Sequence, residues 1–312
     1  MHAQSNFSRR QFLSRTVPLA AAVALGDLGS LPLLGAGEFA PPVVVFSKIY
    51  RELQLSLDDS AALTAEVGLD GVDCPVRSGD QIRPERVRED LPRYAELLRQ
   101  RRLQLPLLTT TIVGPETPHA RDILTTARAL GVRYYRVGYT SLKPGDNVAQ
   151  LIEQTRAQLQ ALAALNKEIG VCALVQNHSP GRPNGPLGGD LNDLFALVRD
   201  LPPDQVGVAF DLGHAILVHG DQWSAHFERL QPHIRVAYLK DVRRGQGFVR
   251  FGEGEFRQTD FFTRLKRMGY RAPLSLHIEY PWTQPGEPPT RAALATALQD
   301  SLRVVRQWIV AA

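Results

Sequence analysis

The sequence has little of what marks several special classes of protein. Only two cysteines occur in 312 residues, Cys74 and Cys172, and each lies in an apolar run. We therefore expect two unpaired core thiols rather than a disulfide. An excess of one charge sign is also lacking, since 36 Lys and Arg face 32 Asp and Glu. This near balance argues against nucleic acid as a partner.

Long apolar runs are absent beyond residue 40, where no segment reaches the roughly twenty apolar residues of a membrane span. No stable membrane insertion is therefore expected. The beginning of the chain differs, because Ser8-Arg9-Arg10-Gln11-Phe12-Leu13 precedes an uncharged stretch from Thr16 to Gly26. This layout is typical of a cleaved twin-arginine export signal. Residues 1–40 are predicted to be this signal and a linker, and the mature protein is predicted to be periplasmic or extracellular.

A glycine-rich phosphate loop is missing after the first strand candidate, which disfavours an open dinucleotide-binding sheet. Instead one pattern recurs, in which a helical stretch, a glycine and a short apolar run follow one another, as at Gly68, Gly131, Gly170 and Gly269. Glycine there suits the left-handed residue that ends a helix.

The pattern predicts eight strands, at Val43–Phe46, Gly71–Cys74, Gln104–Thr109, Tyr134–Val137, Cys172–Gln176, Gly207–Phe210, Val236–Leu239 and Leu274–Ile278. Helices are predicted near residues 58–67, 84–101, 118–130, 147–169, 190–200, 223–231, 257–268 and 289–309. Eight alternating units predict an α/β fold, a (β/α)8 TIM barrel in a single domain over residues 41–312.

Polar side chains end the last four strand candidates, where a barrel of this kind places its chemistry. Alternation along a strand puts every second side chain on the same face. We therefore expect six side chains to face the barrel axis together: Gln176, His178, Tyr238, Lys240, His277 and Glu279.

These segments resemble the xylose isomerase-like family of sugar isomerases and epimerases. The resemblance covers nearly all of residues 43–310, and its most specific pieces are Gln176-Asn177-His178, Phe210-Asp211-Leu212-Gly213-His214, Leu239-Lys240-Asp241, Phe251-Gly252-Glu253-Gly254-Glu255 and His277-Ile278-Glu279-Tyr280. It implies a divalent metal held by Glu, Asp, His and Glu on the last four strands, with the two glutamates moving a proton.

Only two of those four positions keep the family's residue type, Asp211 and Glu279, because Gln176 and Tyr238 stand where the resemblance implies Glu and His. An amide can bind a metal through its oxygen but cannot accept a proton as a carboxylate does. The resemblance thus implies a site for Mn²⁺, Mg²⁺ or Zn²⁺ built from Gln176, Asp211 and Glu279, with His214 or, in its place, His178 supplying a nitrogen.

Candidate catalytic residues are Glu279, Lys240 and His178, and candidate substrate-binding residues are Arg77, Arg136, His214, His277 and Trp282. Structural roles compete with these. His214 can hydrogen-bond Asp211, Lys240 can pair with Asp241, and His277 can be a core histidine. The two arginines can brace loops, and Trp282 can hold a loop in place.

The sequence therefore predicts an enzyme, a metal-dependent carbohydrate isomerase or epimerase that abstracts a proton next to a carbonyl. Two alternatives remain open, a lyase acting on a 3-keto-glycoside at the same site and a non-catalytic sugar-binding barrel. The expected partner is a small carbohydrate, and a homo-oligomer remains open.

Overall fold

Eight short parallel strands form a closed barrel in a computed structural model, which describes residues 39–312. The barrel strands are β1 (Val43–Phe46), β2 (Gly71–Val76), β3 (Gln104–Thr110), β4 (Tyr134–Arg136), β5 (Cys172–Gln176), β6 (Val206–Asp211), β7 (Ile234–Leu239) and, after a hairpin, β10 (Leu274–Leu276). Each strand pairs with the next, and β10 pairs with β1 to close the ring. The predicted single-domain TIM barrel is confirmed.

Helices surround the barrel and follow the strands in alternation. They are α1 (Leu57–Glu66), α2 (Val87–Gln100), α3 (Ala120–Ala129), α4 (Val148–Ile169), α5 (Leu191–Val198), α6 (Leu212–His219), α7 (Trp223–Leu230), α8 (Phe261–Arg267) and α9 (Arg291–Ala311). Two features are absent from the sequence-based prediction. These are α6 and the hairpin of β8 (Val242–Arg243) and β9 (Gly247–Phe248).

Side-chain caps begin two of the helices, and a predicted glycine ends one of them. Asn147 accepts the backbone N–H of Gln150 at the start of α4, and Asp190 accepts that of Asn192 at the start of α5. Side chains of this kind satisfy N–H groups that have no partner within the helix. Gly170 ends α4 with a φ of 86°, in the left-handed region predicted for it.

The lower barrel interior is an apolar layer that includes Val44, Leu107, Cys172, Leu174, Val236 and Tyr238. Larger apolar side chains fill the space between strands and helices. Cys74 and Cys172 are buried and unpaired, as expected. None of the helices within residues 39–312 has both the length and the apolar character needed to cross a membrane.

The compact unit begins at Phe39. The predicted export signal, with Arg9 and Arg10, lies outside the described residues. Export, and with it a periplasmic or extracellular location, therefore stays a prediction.

Candidate functional site

A cavity of about 150 Å³ opens at the carboxyl ends of the barrel strands. We call it the mouth cavity. It brings together all six side chains that strand alternation places on the axis, Gln176, His178, Tyr238, Lys240, His277 and Glu279. Its other lining residues are Phe46, Lys48, Arg77, Thr109, Arg136 and Tyr139.

A buried ammonium lies at the centre of one side of this cavity. Lys240 Nζ is 2.8 Å from Asp211 Oδ2 and 2.8 Å from His214 Nε2. Gln176 Nε2 donates to the same Asp211 oxygen over 2.9 Å. We call these four residues, Gln176, Asp211, His214 and Lys240, the lysine network. Both Lys240 and Asp211 are almost wholly shielded from solvent, so their attraction is only weakly screened.

The proton on His214 is assigned by its neighbours. An ammonium only donates, so His214 Nε2 accepts from Lys240, and Nδ1–H donates to Ser179 Oγ over 2.8 Å. Burial, and then the positive charge of Lys240, hold the pKa of His214 well below its ordinary value. His214 is therefore a neutral acceptor at pH 7, set behind Lys240 rather than in the cavity wall.

Strand β6 runs directly into α6 at the lysine network. Asp211 is the last residue of β6 and also the N-cap of α6, where its Oδ1 accepts the backbone N–H of His214 over 3.2 Å. One carboxylate thus serves a helix end with one oxygen and Lys240 with the other.

Asp241 takes no part in the lysine network, although it follows Lys240 in the chain. Its carboxylate accepts backbone N–H groups from Val242, Gly252, Gly254 and Phe256 over 2.8 to 3.2 Å. The ion pair between Lys240 and Asp241 that the sequence left open is not formed. Asp241 instead holds the loop at residues 251–256.

The neighbouring part of the cavity wall, which we call the open side, contains Tyr238 from β7 together with His277 and Glu279, which follow β10, the strand paired with β7. The Tyr238 hydroxyl and His277 Nδ1 are buried, and neither makes a hydrogen bond of good geometry within residues 39–312, although the Tyr238 hydroxyl lies near Thr109 and Asp73. Buried polar atoms normally find a partner, so two unpaired atoms in one cavity wall indicate a place for a polar ligand.

A short chain of hydrogen bonds fixes the ring of His277. Ser275 donates its only hydroxyl proton to Asp73 Oδ2 over 2.9 Å, so it accepts from His277 Nε2–H over 3.1 Å. Nδ1 is then a free acceptor. Burial, and next the charge of Lys240, hold the pKa of His277 well below its ordinary value, so the ring is neutral.

Asp73 is wholly buried within the barrel. Thr109 and Ser275 donate to its two carboxylate oxygens. Burial raises its pKa from 3.8 to about 6, against the lowering effect of these two hydrogen bonds. Asp73 is therefore ionised at pH 7 and titrates close to neutrality.

Two groups that can accept a proton line the mouth cavity. The Glu279 side chain is 30% exposed, and Oε1 is 4.0 Å from His277 Nδ1. His178 Nδ1 lies 2.7 Å from the Ser179 carbonyl, so this nitrogen carries the proton and Nε2 is the free acceptor. Burial, followed by the charge of Lys240, lowers the pKa of His178.

The predicted arginines also reach the mouth cavity. Arg77 Nε donates to Asp80 over 2.6 Å, and Arg136 donates to the Val137 carbonyl over 2.7 Å. Arg136 lies over the ring of Tyr139, with 4.5 Å from its guanidinium carbon to the ring centroid. Each arginine thus braces its own loop while it adds positive charge to the wall.

A second cavity, of about 460 Å³, adjoins the mouth cavity and shares Phe46, Lys48 and Glu279 with it. We call it the outer groove. Trp282 lines this groove and does not reach the mouth cavity. Trp282 Nε1 donates to Glu52 over 3.0 Å, so the indole also ties the loop after β10 to the segment after β1.

The residues present do not fit a divalent metal at the predicted position. Within residues 39–312, no three His, Cys, Asp or Glu side chains are grouped to hold a metal ion. The predicted ligands Gln176, Asp211, Glu279 and His214 are thus not arranged as a metal site in this part of the chain. Lys240 occupies the space between Asp211 and His214, and Gln176 turns its NH₂ group, which is no metal ligand, toward Asp211.

Sequence reasoning missed several residues that shape the site. Tyr139 donates to Gln176 Oε1 over 2.6 Å and so orients the amide. Asp73 could have been found from the sequence, because an acidic side chain inside the buried strand β2 requires hydrogen-bonding or charged partners. Nothing in the sequence marked Tyr139, Lys48 or Ser179.

Comparison with known proteins places the fold. The sequence profile of a family described as xylose isomerase-like TIM barrel matches residues 61–307. Comparison with curated protein sequences gives no match.

Solved structures match over 86% of this chain. A putative xylose isomerase from Rhodospirillum rubrum has a TM-score of 0.67 at 18% identity, with 99% of its own chain covered. The 3-keto-D-glucoside 4-epimerase from E. coli has a TM-score of 0.62 at 14% identity, with 100% of its own chain covered. The D-allulose 3-epimerase from Methylomonas sp. has a TM-score of 0.63 at 14% identity, with 98% of its own chain covered. At these identities the likeness shows the fold alone.

Proposed function

The chain belongs to the xylose isomerase-like TIM barrel family, and on that premise we propose that it is an enzyme that moves a proton at a carbon next to a carbonyl group of a carbohydrate. The observation that carries the proposal is the mouth cavity. It combines a carboxylate, an ammonium and two buried polar atoms without partners.

A carbohydrate suits the unpaired atoms of the open side. His277 Nδ1 is an acceptor, and the Tyr238 hydroxyl can donate or accept, so two neighbouring sugar hydroxyls would satisfy both. Arg77 and Arg136 add donors to the same wall.

Glu279 is the proposed base. It takes the proton from the carbon next to the carbonyl, the C–H electron pair forms a C=C bond, and the carbonyl oxygen becomes an enediolate oxygen. A fixed positive charge stabilises such an oxygen most in a site shielded from water, and Lys240 supplies that charge. Return of the proton to the former carbonyl carbon, with transfer of the neighbouring hydroxyl proton to the former carbonyl oxygen, gives an isomer. Return to the opposite face of the original carbon from a second group, His178, gives an epimer.

Elimination is the second candidate, and the outer groove favours it. The mouth cavity lies below the roughly 300–1,000 Å³ of typical ligand sites, whereas the groove lies within that range. The E. coli neighbour is named as acting on a 3-keto-glucoside. A substituent of such a sugar would reach the groove past Glu279 and could leave through it.

An exchange assay tests the proposal. Wild-type protein is incubated in D₂O with simple and 3-keto sugars, and loss of C–H signals is followed by NMR. Glu279→Gln is expected to lower exchange by at least about 10²-fold, the scale for loss of a general base. Glu287→Gln, in the exposed loop after β10, is the matched control and should exchange as wild type does.

Exchange that survives Glu279→Gln would show that the base is misassigned. A wild-type protein that binds these sugars without any exchange would favour the non-catalytic barrel and overturn the enzyme proposal.

A further inference from the structure

We infer that the Lys240 ammonium stands in place of a divalent metal in this chain, and that it is the group that stabilises the developing oxyanion. The role in the reaction rests on the proposed function. The occupation of the metal position by Lys240 does not depend on the proposed function, and it can be tested without measuring turnover.

The first argument is the occupied space. Asp211 Oδ2 accepts from both Lys240 and Gln176, and Oδ1 accepts from the backbone of His214. His214 Nε2 also accepts from Lys240. A cation at this point would have to displace the ammonium and turn the amide of Gln176, which Tyr139 holds by its oxygen.

The second argument is the charge balance. Within the lysine network Asp211 supplies one negative charge, and the neutral side chains Gln176 and His214 supply none. Lys240 balances that single charge. Elsewhere in the cavity wall Glu279 adds a negative charge, and Arg77 and Arg136 add positive charges. A divalent ion added within a few ångströms of the ammonium would meet strong repulsion in a site shielded from water.

The third argument is the orientation of the ammonium. An ammonium has three N–H bonds, and within residues 39–312 two of them are taken, by Asp211 and His214. Lys240 also lines the mouth cavity. The third N–H is therefore available to an oxygen bound there. It can donate a hydrogen bond to that oxygen.

The test uses Mn²⁺ as probe and isothermal titration calorimetry as readout, on full-length protein treated with chelator. Wild type is expected to show no saturable binding up to about 1 mM, the weak end of protein sites for divalent cations. The double variant Gln176→Glu/Lys240→Ala returns a carboxylate and removes the ammonium. It is expected to bind Mn²⁺ at least about 10²-fold more tightly, since ligand charge sets affinity.

The matched control is Gln176→Glu/Lys48→Ala, which removes a different lysine from the same cavity and leaves the ammonium in place. It is expected to bind Mn²⁺ no more tightly than wild type. A rise in melting temperature with Mn²⁺, seen in the first double variant only, checks that it is folded and that the ion binds the native state.

Saturable one-to-one binding of Mn²⁺ by wild type, abolished by Asp211→Asn, would overturn the inference even if neither double variant folds. An equal gain in Mn²⁺ affinity in both double variants would also overturn the inference, because the ammonium of Lys240 would then not be what prevents metal binding. Failure to find turnover would affect the proposed function and leave these titrations unchanged.

Discussion

The two sides of the mouth cavity are built on opposite principles. In the lysine network each of the four side chains is hydrogen-bonded to another member, and Lys240 and Asp211 are almost wholly shielded from solvent. On the open side, the Tyr238 hydroxyl and His277 Nδ1 lack partners among the described residues, and Glu279 reaches solvent. The lysine network is held together by its own hydrogen bonds and presents a fixed charge, with one N–H of Lys240 left for a ligand. The open side is incomplete and awaits one.

The largest expected effect breaks the lysine network. Lys240→Met keeps the bulk of the side chain but leaves the buried carboxylate of Asp211 without its cation. We expect a loss of about 3–5 kcal/mol in the free energy of unfolding, the cost of removing one partner of a buried ion pair. Denaturant unfolding measures it.

Lys266→Met, on an exposed position of α8, is the control and should change stability by less than about 0.5 kcal/mol. A loss from Lys240→Met no larger than that of the control would mean that the lysine network does not hold the fold together.

A somewhat smaller effect concerns Asp73, which joins the open side through Ser275. Its pKa of about 6 lies above the ordinary 3.8, so between these pH values the folded chain binds more protons than the unfolded chain. Stability contributed by the protonated form is therefore lost as pH rises through 6. Relative to Asp73→Asn, wild type should lose about 2 kcal/mol between pH 4 and pH 7.

Unfolding of both proteins across this pH range checks the prediction. Asp204→Asn, at an exposed position, is the control, and its free energy of unfolding should change with pH as that of wild type does. Parallel curves for Asp73→Asn and wild type would show that Asp73 titrates as an ordinary carboxyl.

The smallest expected effect sharpens the border between the open side and the outer groove. Trp282→Phe keeps an aromatic ring but removes the hydrogen bond to Glu52. We expect a loss of about 1 kcal/mol in stability, the net value of one hydrogen bond, with an unchanged KM. A raised KM without loss of stability would instead assign the indole to substrate binding.

Much of the fold could be predicted because it depends on local patterns. Apolar runs fixed the eight strands to within two residues at their ends, and Gly170 marked a helix end. Helix α6 was missed because Asp211 ends a strand and caps a helix at once, which leaves no loop residues as a signal.

The candidate site was predictable only in part, for a similar reason. Alternation along single strands was enough to bring Gln176 and Glu279 to one cavity. It could not say that Lys240 would choose Asp211 on a neighbouring strand over Asp241 beside it in the chain. That choice depends on how strands are placed in space, and it decides whether a metal fits.

The attachment of Asp241 to the loop at residues 251–256 limits which substitutions the chain can tolerate there. A side chain at Gly254 would overlap the Asp241 carboxylate, and the same carboxylate holds three backbone groups of that loop. Asp241 and Gly254 are therefore coupled, because a substitution at either position alone would disturb the contacts of the other. Asp241 directly follows Lys240 in the chain. A loop transplanted from a relative that lacked this pair would therefore change the position of Asp241 and, with it, of Lys240. We expect only loop grafts that keep both Asp241 and Gly254 to fold.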